Sequence, residues 1–377
     1  MVFGHASRGT RASGSLTSQQ IREQASRSPG GQLWVDPEFK EDRALHQTPG
    51  APKITFNGGR PIRWLRPHEL KGAIPGDIEL IKDGVSSGDV IQVGRRNSGG
   101  AGWLRGVRWV TTSRASIRTP CYARPWLCPR VSPPARPSCI QGELGDCYLL
   151  GAMSSIAAAG YQGERGALLK RLIKTGSVEL GLGFVTFEMY SFGEWVETTV
   201  DTLLPCNEQG EPLFAHCKDP NEVWVPFLEK AYAKLYGSYE ALDGGNVTAA
   251  IVDLSGGVGE RIDLLDDDTV LEISDGSLWR RLLRYQTKEN YMMACALVRD
   301  DVVDKGTKTD PHATDLGILV NHAYTLLDVR EVGEPYQDST KARLLKLRNP
   351  WGDGEWKGPW SDHDDMWRTP LGQKVRR

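Results

Sequence analysis

The sequence predicts an α+β chain of two domains, and three observations carry that expectation. Its 377 residues are more than one core commonly organises at roughly 150 residues per domain. From Gly145 to Ser255 helical spacings mix with short alternating runs, whereas beyond Gly256 alternating, strand-like runs dominate. The Ser255-Gly256-Gly257 hinge separates the two textures.

Residues 1–32 are rich in Ser, Gly and Arg, carry no acid before Glu23 and lack an apolar h-region. They read as a disordered tail, with an organelle transit peptide as the second reading. From Leu33 to Leu70, isolated aromatics and prolines (Trp34, Asp36-Pro37, Phe39, Trp64, Arg66-Pro67) predict an extended segment wrapped over a core. Residues 33–255 make the first domain. A buried helix is expected over Cys147 to Ala159, with Asp146 as its N-cap and Gly160 as its stop. Ala167 to Lys174 is helical in spacing, Phe184 to Tyr190 and Trp195 to Val200 alternate as strands, and Val223 to Tyr236 is an amphipathic helix stopped by Gly237. In the second domain, residues 256–377, Leu278 to Tyr285 is helical. Tyr291 to Val298, His322 to Val332 and Ala342 to Arg348 are expected strands.

One block stands apart. Val93 to Gln141 holds nine arginines, six prolines and three cysteines, with no Lys, Asp or Glu and no sustained helical or strand period. The rest of the chain carries 37 basic and 48 acidic residues. The block therefore reads as an atypical Arg/Pro-rich insert.

Hydrophobic residues at 39% and charged residues at 25% suit a soluble globular protein. No run approaches the roughly 18 apolar residues of a membrane span. Seven cysteines, an odd number with no CxxC pair, argue against a disulfide framework and a tetracysteine zinc site. A reducing, cytoplasmic location is the expectation.

Cys147 opens a helix, where the terminal partial charge favours a thiolate and is expected to lower the thiol pKa. Its alternative is a small buried residue at the start of a core helix. A cysteine nucleophile needs a base, and that base needs an orienting group. Of the seven histidines, only His322 opens a strand, HAYTLLDV, that can hold a ring rigidly at a cleft. The RLLKLRNPW run places Leu345, Leu347 and Asn349 on one face, and Pro350 ends the strand. If the two strands are neighbours, the Asn349 carbonyl can accept from one imidazole nitrogen and leave the other to the sulfur, with Trp351 shielding that bond. Asn349 alone also reads as a turn residue before proline.

The stretches QGELGDCYLLGAMSSIA, HAYTLLDV and LRNPWGDGEWKGPWSD together resemble the cysteine, histidine and asparagine motifs of the calpain protease core. Between them GEWVETTVDTLLP, VWVPFLEKAYAKLYGSYEALDGG and DLSGG are similar to calpain segments in the same order, and DPEF and WLRPHEL to the stretch leading into the core. The resemblance implies a papain-like two-domain core, helices plus strands in the first half and mainly β in the second, with the active-site cleft between them. It implies a calcium-dependent endopeptidase with Cys147 as nucleophile, His322 as general base and acid, and Asn349 orienting His322. Gln141 matches the oxyanion glutamine and Trp351 the tryptophan beside the triad. Tyr148 stands where many members have tryptophan.

The same resemblance implies two calcium ions, one per domain. Glu355 and Asp362 match ligands in the second domain, which reads as C-terminally truncated because a later acidic motif is missing. Glu222 matches a ligand in the first. An aspartate nine residues and a glycine fourteen residues before the nucleophile are also expected, but Ser138 and Pro133 stand there. Excising Val93 to Gln141 joins DGVSSGDVIQ to GELGDCYLL, puts Gln92 in the place of Gln141, and brings Asp89 and Gly84 to those spacings. The block thus reads as translated intron sequence, which sequencing the transcript tests. No DxDxDG loop of an EF-hand is present.

Protein substrates follow from the leading reading, and a regulatory subunit stays open. The alternative is a catalytically impaired calpain-like regulatory or binding protein, impaired by the insert and the shortened second domain. A nucleic-acid or acidic-partner contact through the arginines is a third, minor reading with no binding motif behind it. Transglutaminase-type acyl transfer typically uses aspartate as third member, so Asn349 speaks against it.

Overall fold

The computed structural model describes residues 16–28, 31–48, 50, 52–81, 91–94, 109–114, 139–161, 164–286, 291–299, 313–333, 342–354 and 356–375. Helices and strands mix throughout, an α+β chain as the sequence patterning predicts.

The apolar run after Asp146 forms the helix Cys147–Ala158, with every residue from Tyr148 to Ala157 buried. A helix apolar on all sides must lie inside, and this one is held between the helix Val247–Ser255 and the strand His322–Val332. The amphipathic segment forms the helix Trp224–Tyr236, stopped by Gly237 at φ 108, a backbone value that favours glycine. Phe184–Ser191 and Glu194–Asp201 pair as an antiparallel hairpin. Phe192 and Gly193, both at positive φ, make its turn.

The larger sheet runs in the order Ile91–Gly94, Ala342–Arg348, His322–Val332, Met292–Leu297, Trp109–Arg114, Val258–Asp263, with every neighbouring pair antiparallel. The strand Met292–Leu297 is apolar throughout because both its faces are covered. Met292 and Ala294 join the core around the Cys147 helix, while Met293 and Cys295 join a second core with Trp279, Leu282, Tyr324 and Leu347. A register shift between Leu326 and Asp328 marks an irregularity where His322–Val332 meets Ala342–Arg348, the kind that bends a strand locally.

One expectation is corrected. The tail 1–32 was expected to be disordered, but Ser18–Ser26 is a helix with a capping box at Thr17, and its Ile21 and Ala25 pack with Trp34 and Phe184. The Thr-x-x-Gln signal of that cap is visible in the sequence; residues 1–15 lie outside the described residues. The block 93–141 shows no sustained helical or strand period in its sequence. Trp109–Arg114 nevertheless pairs with both Met292–Leu297 and Val258–Asp263, and Val93 and Gly94 pair with Leu345 and Leu344. The β-branched run Val110-Thr111-Thr112 explains the first pairing.

The extended segment from Leu33 is tied down as its sequence predicts. The Arg66 guanidinium donates to the carbonyls of Gly183 and Trp34 and to Thr202 Oγ1, while Asp201 Oδ2 accepts from the Asp36 N–H at 2.7 Å. Lys230, fully buried, donates to Asp201 Oδ1 at 2.6 Å and to the Leu203 carbonyl at 2.6 Å. Asp201 thus serves a buried cation and two backbone N–H groups at once. Replacing Asp201 by alanine leaves Lys230 buried and unpaired, so a loss of about 3–5 kcal/mol is expected, read as a lowered urea midpoint.

Candidate active site

Cys147 is the first residue of its helix and is half-buried. The helix rests on the strands below it: Thr325 Oγ1 donates to the Gly151 carbonyl at 2.9 Å and Ser155 Oγ to the Met293 carbonyl at 3.2 Å. This docking brings the thiol to the backbone N–H of Ala323, which hydrogen-bonds it. Ala323 follows His322 directly, so the sulfur lies at the start of the His322–Val332 strand.

His322 is 1% exposed. Asn321, at φ 53, turns the chain into the strand, with its N–H on the Leu297 carbonyl at 2.7 Å. The His322 Nε2 donates to Asn349 Oδ1 at 2.8 Å. The Asn349 amide is not free to flip: Nδ2 donates to the Asp353 carbonyl at 2.6 Å, and Oδ1 also accepts the Trp351 N–H at 3.1 Å. An oxygen held toward the ring requires the proton on Nε2 and leaves Nδ1 as the basic nitrogen. The Trp351 ring lies 4.8 Å from the imidazole centroid and the Tyr324 ring 5.1 Å, edge on. Both shield the His322–Asn349 bond.

Gln141 is 2% exposed. Its backbone N–H donates to the Pro350 carbonyl at 2.9 Å, beside Asn349, and its Nε2 donates to the Leu144 carbonyl at 2.7 Å. The segment before it is clamped as well. Ile140 pairs with His216 through two backbone bonds, and the buried Arg348 donates to the Cys139 carbonyl at 3.2 Å. Gln141, Cys147, His322, Asn349 and Trp351 are therefore brought to one place by three separate segments.

Two expectations at this site are corrected. Burial pushes the Cys147 thiol up to about 11, where its helix position was expected to lower it. Desolvation is the largest cause; the charge of Asp146 adds to it, and the opposing Ala323 N–H is outweighed. A neighbouring base must take the proton. The Asp146 side chain does not cap the helix either; its carboxyl lies against that of Glu229 instead.

Glu229 was missed by the sequence reading. An acid four residues after Val225 and three before Tyr232, on the apolar stripe of the Trp224–Tyr236 helix, is the signal that marks it.

For calcium, Glu222 is 9% exposed and its backbone bridges Glu79, while Asp362 lies exposed in a turn. Gly84, Asp89 and Glu355 fall outside the described residues. Among the described residues no group of three or more His, Cys, Asp or Glu side chains is placed to hold a metal ion. Of the five candidate ligands, only Glu222 and Asp362 lie among the described residues.

The family model described as calpain family cysteine protease matches residues 127–376, and the chain belongs to that family. It is 38% identical over 237 residues to the calpain-type cysteine protease ADL1 of Oryza sativa subsp. japonica, covering 63% of this chain and 10% of that protein. It is 35% identical over 267 residues to calpain-12 of Homo sapiens, covering 70% of this chain and 32% of that one. With the calpain-1 catalytic subunit of Rattus norvegicus it shares 37% identity over 229 residues, 60% of this chain and 29% of the relative. The chain thus spans between a tenth and a third of the length of these relatives. Among the described residues no helix is long and apolar enough to cross a membrane.

Proposed function

We propose that the chain is a calcium-dependent cysteine endopeptidase that cleaves cytoplasmic proteins at limited sites through Cys147, His322 and Asn349. The observation that carries the reading is the buried His322 Nε2 to Asn349 Oδ1 bond, one residue from the backbone N–H that meets the Cys147 sulfur. Residues 33–255 and 256–377 are read as the two lobes of a papain-like core with the cleft between them.

With the Nε2 proton fixed on Asn349, Nδ1 of His322 takes the thiol proton as the sulfur attacks a peptide carbonyl carbon. The second hydrogen of Gln141 Nε2 and the Cys147 backbone N–H stabilise the resulting oxyanion. His322 returns its proton to the leaving nitrogen, the C–N bond breaks, and a thioester remains on Cys147. Water then attacks that thioester, passing its proton to His322, and the thiol is restored.

Replacing Gln141 by alanine is expected to lower kcat by about 10²- to 10³-fold with the fold intact, measured as casein cleavage beside a urea melt. Calcium dependence is carried by the resemblance to calpains. Cleavage by the full chain is expected to vanish on chelation and return with added calcium, and equal cleavage in chelator contradicts the dependence.

The second reading, a catalytically impaired regulatory protein, draws on one observation: the arginine-rich block feeds Trp109–Arg114 into the sheet between Met292–Leu297 and Val258–Asp263. A folded chain that never cleaves, with calcium present, turns the assay in its favour.

A further inference from the structure

Two carboxyl groups lie fully inside the protein next to the nucleophile. Asp146 is 0% exposed and Glu229 is 1% exposed. They come from different elements: Asp146 precedes the Cys147–Ala158 helix, and Glu229 is in the middle of the Trp224–Tyr236 helix. Both oxygens of Glu229 accept from the Ala215 N–H, at 3.0 and 3.1 Å. Neither oxygen of Asp146 meets an N–H or O–H donor among the other described side chains and backbone groups. The two side chains nevertheless lie within hydrogen-bond reach of one another, and two carboxyl groups can bond there only by sharing a proton.

Among the described residues the surroundings supply no counter-charge. Among the described residues, the titratable groups facing the pair are Cys147 and Tyr148 from the nucleophile helix, Tyr239 from the loop after the Glu229 helix, and Asp243 from the turn beyond it. None is a cation. Lys230, the next residue to Glu229, is turned to Asp201. Asp243 is brought close by Gly145: a Cβ there would stand 2.6 Å from Asp243 Oδ1. Buried like charges without a cation hold a proton rather than ionise together.

We propose that Asp146 and Glu229 form a proton-sharing carboxyl pair that fixes the turn carrying Cys147 and sets the charge against which its thiolate forms. The pair carries one O–H···O bond and a net charge of −1, and the proton that leaves Cys147 goes to His322, not to the pair. Both are positioning residues. In its consequence for the thiolate, the inference rests on the reading of Cys147 as nucleophile; its proton does not.

Burial raises the Asp146 carboxyl to about 7 and holds Glu229 well above the usual carboxylate range. Folded groups with raised values bind protons that the unfolded chain has released. Their stabilisation is fully present below the unfolded carboxylate value of about 4 and is lost as pH rises through the folded one.

The test uses the full chain and Glu229→Gln, whose amide oxygen can still accept from Ala215 and whose amide nitrogen can donate to Asp146 without a shared proton. Urea midpoints between pH 5 and 8 are expected to fall with pH in the parent relative to the variant. Parallel profiles overturn the proposal, whether or not the chain cleaves peptides. Asp146→Asn supplies the second reading, the pH profile of Cys147 alkylation by iodoacetamide, with the modified residue located by peptide mapping. With the pair's charge confined to Glu229 and the Asp146 charge that raises the thiol gone, the midpoint is expected to shift down by about one pH unit. A purely structural role lowers the urea midpoint and leaves that profile in place, which overturns the electrostatic part.

Discussion

Replacing Cys147 by alanine is expected to abolish peptide cleavage while the chain stays folded. In the proposed mechanism the sulfur is the atom that bonds to the substrate carbon, and what remains without it is binding and the oxyanion donors. Losses of this kind reach about 10⁴- to 10⁶-fold in kcat. The fold is expected to survive because the helix is held by its buried face, by Thr325 on the Gly151 carbonyl and by Ser155 on the Met293 carbonyl, none of which involves the thiol. Casein cleavage beside a urea melt measures both. Cleavage above about one part in a thousand of the parent rate contradicts the role of Cys147.

The second large effect is expected at Asn349. With alanine there, the Nε2 proton of His322 loses its acceptor in a site where the ring is 1% exposed. The imidazole is then free to place its proton on Nδ1, the wrong nitrogen for a base facing the sulfur. Because burial holds the thiol near 11, little thiolate exists at neutral pH without that base. A fall in kcat of about 10²- to 10⁴-fold is expected, with KM little changed. The pH profile of Cys147 alkylation distinguishes this from misfolding. In Asn349→Ala it is expected to rise only as the thiol itself titrates, toward pH 11. An alkylation profile unchanged from the parent contradicts the orienting role.

Much of this arrangement is legible in the sequence, and for stated reasons. The Cys147 helix, the Trp224–Tyr236 helix and the three strands Met292–Leu297, His322–Val332 and Ala342–Arg348 sit within a residue or so of their expected limits. Each is a long run of one hydrophobic period with a clear stop, such as Gly237 or Pro350. The neighbouring of His322 and Asn349 follows from strand order, since His322–Val332 and Ala342–Arg348 pair antiparallel and Arg348 stands opposite Thr325.

What the residue order hides is of another kind. The helices Val247–Ser255 and Asp267–Ser274 are short, and tertiary packing outweighs their weak local signal. The strand Trp109–Arg114 sits in a block whose arginines and prolines obscure its β-branched run. The direction of the Cys147 shift depends on how deeply the helix start is buried, a property of the packed strands below it. Asp146 reads as a cap by type and position, yet its carboxyl is drawn to Glu229, 83 residues on. No local pattern contains that partner.

The central claim is that Cys147 is the nucleophile and His322 its base. The most direct test treats the folded chain, with calcium, with a peptidyl fluoromethyl ketone and locates the adduct by peptide mapping. One adduct on Cys147 is expected, its formation slowed strongly in His322→Ala, with the buried Cys139, Cys206, Cys217 and Cys295 unmodified. Labelling of another cysteine in place of Cys147, or equal labelling in His322→Ala, contradicts the account.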